Sequence, residues 1–191
     1  MTVVFDFGKV LSRPTAALPR LAALLGAGVE DFEGAYLAER PGLDRGCGEL
    51  AYWGAVGDRL GVRVDEPLAR ELSEVDNAGW LDVDPAALGL VEELHERGVP
   101  LAVLSNAPAS FGRLVEQQPW AGRFAQLVFS GDLRLAKPDP EIYRRLLDRL
   151  GEPAERCTFF DDRQDNVSAA LHLGMRAHLW QGADRARAHL G

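Results

Sequence analysis

Five short apolar runs, most of them closing on a small or acidic residue, punctuate the chain. They are Val3-Val4-Phe5 before Asp6, Leu101-Ala102-Val103-Leu104 before Ser105, Leu127-Val128-Phe129 before Ser130, Cys157-Thr158-Phe159-Phe160 before Asp161, and Arg176-Ala177-His178-Leu179-Trp180. None alternates strictly between apolar and polar positions, which is the pattern of strands buried on both faces in a parallel sheet. Helical periodicity fills the intervals from residue 84 onward. Between Pro85 and Arg97, Leu88, Val91, Glu92 and His95 follow helical spacing, and Gly98 supplies a stop. Asp139-Pro140 opens a second helix with Ile142, Leu146 and Leu150 on one face and Gly151 at its end. Asp165 to Leu173 makes a third, ended by Gly174. This alternation predicts an α/β fold built on a doubly wound, mostly parallel sheet.

The stretch from Arg13 to Leu81 breaks the rhythm. No strand pattern follows the first until Leu101; helical patterns occupy Ala16–Leu25, Glu30–Ala38, Glu49–Leu60 and Glu66–Asp76, separated by turns such as Arg40-Pro41-Gly42. The simplest organisation is a core of residues 1–12 and 82–191, with residues 13–81 as a small helical insertion after the first strand.

Charge narrows the partners. A formal net charge of -8 leaves no basic stripe for nucleic acid or an anionic membrane, both of which are polyanions. Cys47 and Cys157 are far apart and belong to no CxxC or Cys/His cluster, so neither a disulfide framework nor a zinc site is expected. Met1 leads straight into an apolar strand pattern without a basic leader, and no apolar stretch reaches bilayer length. A soluble, cytoplasmic protein is the expectation. His95, His172, His178 and His189 have no ligand spacing and read as structural or exposed. Trp53, Trp80, Trp120 and Trp180 read as packing residues, and Arg45 as a surface arginine in the inserted segment. Oligomeric state leaves no signature.

In an open α/β sheet, ligands sit beyond the carboxyl ends of the strands. Polar residues collect there: Asp6 after the first strand, Ser105-Asn106 after the second, Lys137 in the loop after the third, and Asp161-Asp162 after the fourth. Three carboxylates, a hydroxyl and an ammonium on one rim suit a hard cation such as Mg²⁺ and an oxyanion held by the cation, lysine and hydroxyl together.

The order and spacing of these residues resemble the motifs of the haloacid-dehalogenase (HAD) superfamily. Phe5-Asp6-Phe7-Gly8-Lys9-Val10-Leu11 is similar to its first motif, Leu104-Ser105-Asn106 to its second, and Lys137-Pro138-Asp139-Pro140 to its third. Phe159-Phe160-Asp161-Asp162-Arg163-Gln164-Asp165-Asn166-Val167 is similar to the fourth, and the helical insertion falls where that family places a C1-type cap. The resemblance implies a phosphatase acting on a small phosphorylated metabolite, with a sugar phosphate as one form. Asp6 would be the nucleophile that becomes an aspartyl-phosphate. Ser105, with the Asn106 backbone, would bind phosphoryl oxygens, and Lys137 would offset charge between Asp6 and the phosphate. Mg²⁺ would be bound by Asp6, the Gly8 carbonyl and Asp162, with Asp161 direct or one shell removed, and Asn166 in a supporting position.

Gly8 departs from the pattern, because such phosphatases usually carry a second aspartate there as general acid and base. A subgroup that includes glucose 1-phosphate phosphatases resembles this chain in having Asp-x-Gly-x-Val with a paired Asp-Asp fourth motif. Without the acid, phosphates with a readily departing oxygen should be preferred. The same resemblance admits two rivals, a 2-haloacid dehalogenase and a catalytically weak member that only senses a ligand. Gly8 and Asp161-Asp162 both count against the dehalogenase.

Overall fold

The computed structural model describes residues 1–190. Its strands are Thr2–Phe5 (β1), Leu101–Ser105 (β2), Gln126–Phe129 (β3), Cys157–Asp161 (β4) and Arg176–Leu179 (β5), one for each apolar run. They form a single sheet in the order β3-β2-β1-β4-β5, with every pairing parallel. Every residue of β1, β2 and β4 is buried, which is why these runs do not alternate. Register sets the site: Phe5 lies opposite Val103 on one side and Phe160 on the other. The Asp6 amide donates to the Phe160 carbonyl at 2.8 Å, so Asp6 leaves the sheet beside the end of β4.

Helices cover both faces. On one, Pro85–Glu96 (which is α5, after four helices of the insertion), Ala109–Glu116 (α6) and Ala183–Leu190 (α10) pack on Val3, Phe5, Leu101 and Val103. On the other, Pro140–Leu150 (α8) and Gln164–His172 (α9) pack on Val4, Ala102, Leu104 and Phe159. The short Ser130–Leu133 helix (α7) follows β3. Local signals fix the ends of the larger helices. Asp84 accepts from the amides of Ala86 and Ala87, with Pro85 in the first turn; Asp139 caps α8 in the same way, and Gly151 ends it at φ 63°.

The insertion consists of Leu18–Leu24 (α1), Val29–Asp44 (α2), Glu49–Leu60 (α3) and Glu66–Trp80 (α4). It has its own apolar cluster, including Leu21, Phe32, Tyr36, Tyr52, Trp53 and Leu72. The Trp53 indole donates to Ser73 Oγ at 2.8 Å, which satisfies a buried polar atom inside that cluster. The chain leaves and returns side by side: Ser12 bridges Val83, the Arg13 amide donates to the Asp82 carbonyl, and the Asp84 amide donates to the Leu11 carbonyl.

One sequence expectation fails here. Arg40-Pro41-Gly42 is not a turn but the continuation of α2, which runs to Asp44 with Pro41 inside it. Proline forfeits one intrahelical hydrogen bond, but the flanking turns are bridged by Arg40 Nε donating to Asp44 Oδ1 at 2.9 Å, and Leu43 is buried. The stop comes at Gly46, whose φ of 83° turns the chain; an added Cβ there would stand 2.9 Å from the Gly131 carbonyl oxygen of the core.

Candidate active site

The rim at the carboxyl ends of β1, β2 and β4 opens into a cavity of about 190 Å³, roofed by α2 and α4. Just past β1 the chain folds back on the Phe7 carbonyl, which accepts from the amides of Val10, Leu11 and Ser12, and Lys9 takes a left-handed φ of 60°. Asp6 sits at the base of this turn. Its Oδ1 accepts from the Phe7 amide at 2.7 Å and pairs with Lys137 Nζ at 2.7 Å. Among the described residues Oδ2 has no partner.

Lys137 is buried and spans two carboxylates, reaching Asp161 Oδ2 at 2.6 Å as well as Asp6. It also lies over the Phe159 ring at 5.3 Å. Asn106 fixes the lysine's backbone: its Oδ1 accepts from the Lys137 amide at 2.8 Å and its Nδ2 donates to the Lys137 carbonyl at 2.9 Å. The Asn106 side chain is thus committed to Lys137, and Ser105, Asn106 and Ala107 together line the cavity. Asp161 is fully buried and accepts from Lys137, the Arg163 amide and Asn166 Nδ2. Asp162 is half-buried and forms no ion pair among the described residues, so its carboxylate is the freer of the two.

Oxygen atoms of Asp6, Asp161 and Asp162 come within 4.8 Å of one another. Three carboxyl groups share the one ammonium in contact with them, Lys137, while Lys9 acts on Asp162 from further off; the group therefore has an excess of carboxyls over cations, and every donor in it is oxygen. Asn166 Oδ1, buried beside them, accepts no hydrogen bond. An all-oxygen set with that excess and a spare acceptor for a coordinated water fits a hard divalent cation. Gly8 lines the same cavity, and its carbonyl accepts no hydrogen bond among the described residues.

Electrostatics carry the same message. Burial pushes Asp6 up to about 7, against the pull of Lys137 and with a further push from Asp161. Asp162 is raised by burial and by Asp161. In metal-free protein, a carboxyl raised from 3.8 to about 7 contributes stability that is present below pH 4 and lost as the pH rises through 7, since the folded state holds the extra proton in between. In EDTA, the wild type should therefore lose more thermal stability than Asp6→Asn between about pH 5 and about pH 8. Parallel melting curves for the two proteins across that range would refute this.

Trp80 stands over Gly8, its Cζ3 3.4 Å from where a Cβ would be. Around it lies a group that sequence reasoning did not assemble. Tyr36 OH donates to Asp76 Oδ1 at 2.8 Å and accepts from Trp80 Nε1 at 3.1 Å and from Arg40 Nη1. Arg40 Nε binds Asp44, Nη1 also faces Asp76 Oδ2 at 3.4 Å, and Asn77 completes this wall. Tyr36, Arg40 and Asp44 are four residues apart, one stripe of a helix. That spacing was the available signal, hidden by ending the helix at Ala38. Arg45, by contrast, is exposed. His178 and His189 stack at 3.9 Å between β5 and α10, away from the cavity.

A family model for haloacid dehalogenase-like hydrolases matches residues 1–174. The chain belongs to that family. It is 31% identical to protein CbbY of Cupriavidus necator over 66% of this chain and 55% of that one. It is 29% identical to a phosphoglycolate phosphatase of Pseudomonas fluorescens over 59% and 44% of the two chains. To an (S)-2-haloacid dehalogenase of Pseudomonas putida the identity is 29%, over 60% and 50%. The chain spans about half the length of these curated relatives. A HAD family enzyme of Bacteroides thetaiotaomicron, solved with magnesium and inorganic phosphate, superposes with a TM-score of 0.68 at 19% identity, over 93% of this chain and 92% of that one. At that identity the likeness concerns the fold.

Proposed function

We propose that the protein is a Mg²⁺-dependent phosphatase of small phosphorylated metabolites, with Asp6 as nucleophile and residues 13–81 as a cap over the site. One observation carries this reading: the carboxyl groups of Asp6, Asp161 and Asp162 gather around the single ammonium of Lys137, so a divalent cation would offset the repulsion between them and a dianionic phosphate. Asp6, Asp162 and the Gly8 carbonyl would hold it, with Asp161 and Asn166 behind them. When bound, the cation neutralises phosphoryl charge as a Lewis acid. The remaining work falls to this chain's own groups. The Phe7 amide and Lys137 hold Asp6 by Oδ1, which leaves Oδ2 for in-line attack on phosphorus. Ser105 donates to a phosphoryl oxygen, and Lys137 offsets the charge that develops between nucleophile and phosphate.

A 2-haloacid or phosphoglycolate brings a carboxylate, which would need an uncompensated cation on the cap wall. Arg40 faces both Asp44 and Asp76 and is already neutralised. Among the described residues the α2 wall thus offers no free cation to a second carboxylate, which favours a substrate whose remainder is uncharged, such as a sugar phosphate, although Lys9 and Arg163 line the core side of the cavity.

The test is metal dependence. Hydrolysis of p-nitrophenyl phosphate should cease in EDTA and return with Mg²⁺, and Mg²⁺ at a hundred times its Kd should stabilise the fold by about 2.7 kcal/mol. Asp162→Ala should lose most of that stabilisation. Full turnover in stripped protein would contradict the reading.

A further inference from the structure

Gly8 leaves the leaving oxygen of a phosphoester without an acid from the nucleophile's own loop, and Trp80 covers the place where such a side chain would stand. Among the described residues lining the cavity, only one carboxyl group lies outside the cation cluster: Asp44, in the last turn of α2. Its side chain is 14% exposed. Oδ1 accepts from Arg40 Nε, while Oδ2 has no partner among the described residues.

Asp44 is also one of the points at which the insertion is fastened to the core, together with Glu49, which accepts from Ser110 Oγ. The Asp44 carbonyl accepts from Ser130 Oγ, and the same hydroxyl accepts from the Ala107 amide at 2.9 Å, two residues beyond Ser105. Two residues after Asp44, Gly46 packs against Gly131 too closely to admit a side chain. An inserted helix therefore carries a carboxyl group whose backbone is tied, through the Ser130 hydroxyl, to the loop that would bind phosphate. Lys137 lies within its electrostatic reach, and burial raises the carboxyl's affinity for a proton more than Arg40 lowers it.

We propose that Asp44 is the general acid and base of the reaction, supplied from the insertion in place of the residue missing at Gly8; the proposal rests on the phosphatase reading. In the first step Asp6 Oδ2 bonds to phosphorus and the bond from phosphorus to the ester oxygen breaks. That oxygen takes the proton of the Asp44 carboxyl and departs as an alcohol, leaving an aspartyl-phosphate and an Asp44 carboxylate. In the second step water attacks phosphorus, Asp44 takes its proton, and the bond to Asp6 breaks. Inorganic phosphate leaves, Asp6 is a carboxylate again and Asp44 is protonated again. While Asp44 is protonated, Asp76 still balances Arg40. The preference for easily departing oxygens that Gly8 alone suggests is then weakened, because the proton is supplied.

The experiment compares Mg²⁺-loaded wild type and Asp44→Asn on a primary alkyl phosphate and on p-nitrophenyl phosphate. The variant should lose roughly 10²–10⁴-fold in kcat/KM on the alkyl ester. Its loss on the aryl ester should be at least about tenfold smaller and accompanied by a burst, because breakdown of the aspartyl-phosphate has lost its base. Equal losses on both esters, or no loss on the alkyl ester, would overturn the role of Asp44 and leave the phosphatase reading standing. If Asp44→Asn fails to fold, the wild type decides alone: a shallow dependence of log kcat/KM on leaving-group pKa supports a bound proton donor, and a steep one overturns it. Wild type that cleaves no phosphoester removes the phosphatase reading and this role with it.

Discussion

If Asp6 is the nucleophile of the proposed phosphatase, replacing it by asparagine should lower phosphoester turnover by at least about 10⁴-fold, since an amide cannot form the covalent intermediate. The fold should persist. The amide oxygen of the new side chain can still accept from the Phe7 amide, and Lys137 keeps its contact with Asp161 at 2.6 Å. Removing one of two carboxylates that crowd a single buried ammonium also eases the repulsion that helps push Asp6 up to about 7. Thermal melting of the metal-free variant should therefore match or exceed that of wild type at neutral pH, alongside absent turnover. A variant that retained a tenth of wild-type activity would show that water attacks phosphorus directly and that Asp6 serves only the cation.

Lys137→Met should damage both stability and activity. The side chain is 1% exposed and Asp161 is fully buried, so the variant leaves two carboxylates facing each other with no cation between them. Breaking a buried pair in this way costs about 3–5 kcal/mol. Loss of the ammonium also removes the strongest influence holding Asp6 down, which makes the nucleophile harder to ionise and takes away its partner in the transition state. A fall of about 10³-fold or more is expected. Chemical denaturation and steady-state kinetics check the two effects separately. A variant as stable as wild type would mean that the carboxylates relax into solvent.

Much of this was legible in the chain because the physical signals were local. The five strands could be placed because parallel strands buried on both faces need unbroken apolar runs. Asp84-Pro85 and Asp139-Pro140 marked helix starts because a carboxylate cap and a proline satisfy the same orphaned amides. Asp6, Ser105, Lys137, Asp161 and Asp162 could be singled out because each ends a strand or lies in the segment after one, and the structure brings all five to one rim. What escaped depends on tertiary contact. Ala109–Glu116 starts without a side-chain cap and contains Gly112, which is there because a Cβ would stand 2.7 Å from the Phe129 ring. The course of α2 through Pro41 depends on Leu43 being buried and Arg40 reaching Asp44, neither of which a local breaker rule includes. With that helix cut short, the stripe of Tyr36, Arg40 and Asp44 dissolved into unrelated residues, and the roof of the cavity went unseen.

On the proposed reading, the cluster at Asp6 processes phosphate with a divalent cation. The most direct measurement follows phosphate release from p-nitrophenyl phosphate and chloride release from 2-chloropropionate by one enzyme preparation, with Mg²⁺ and after EDTA. Phosphate release that requires Mg²⁺ is expected, with no chloride release in either condition. Chloride release that persists in EDTA, with no phosphate released in Mg²⁺, would contradict that reading.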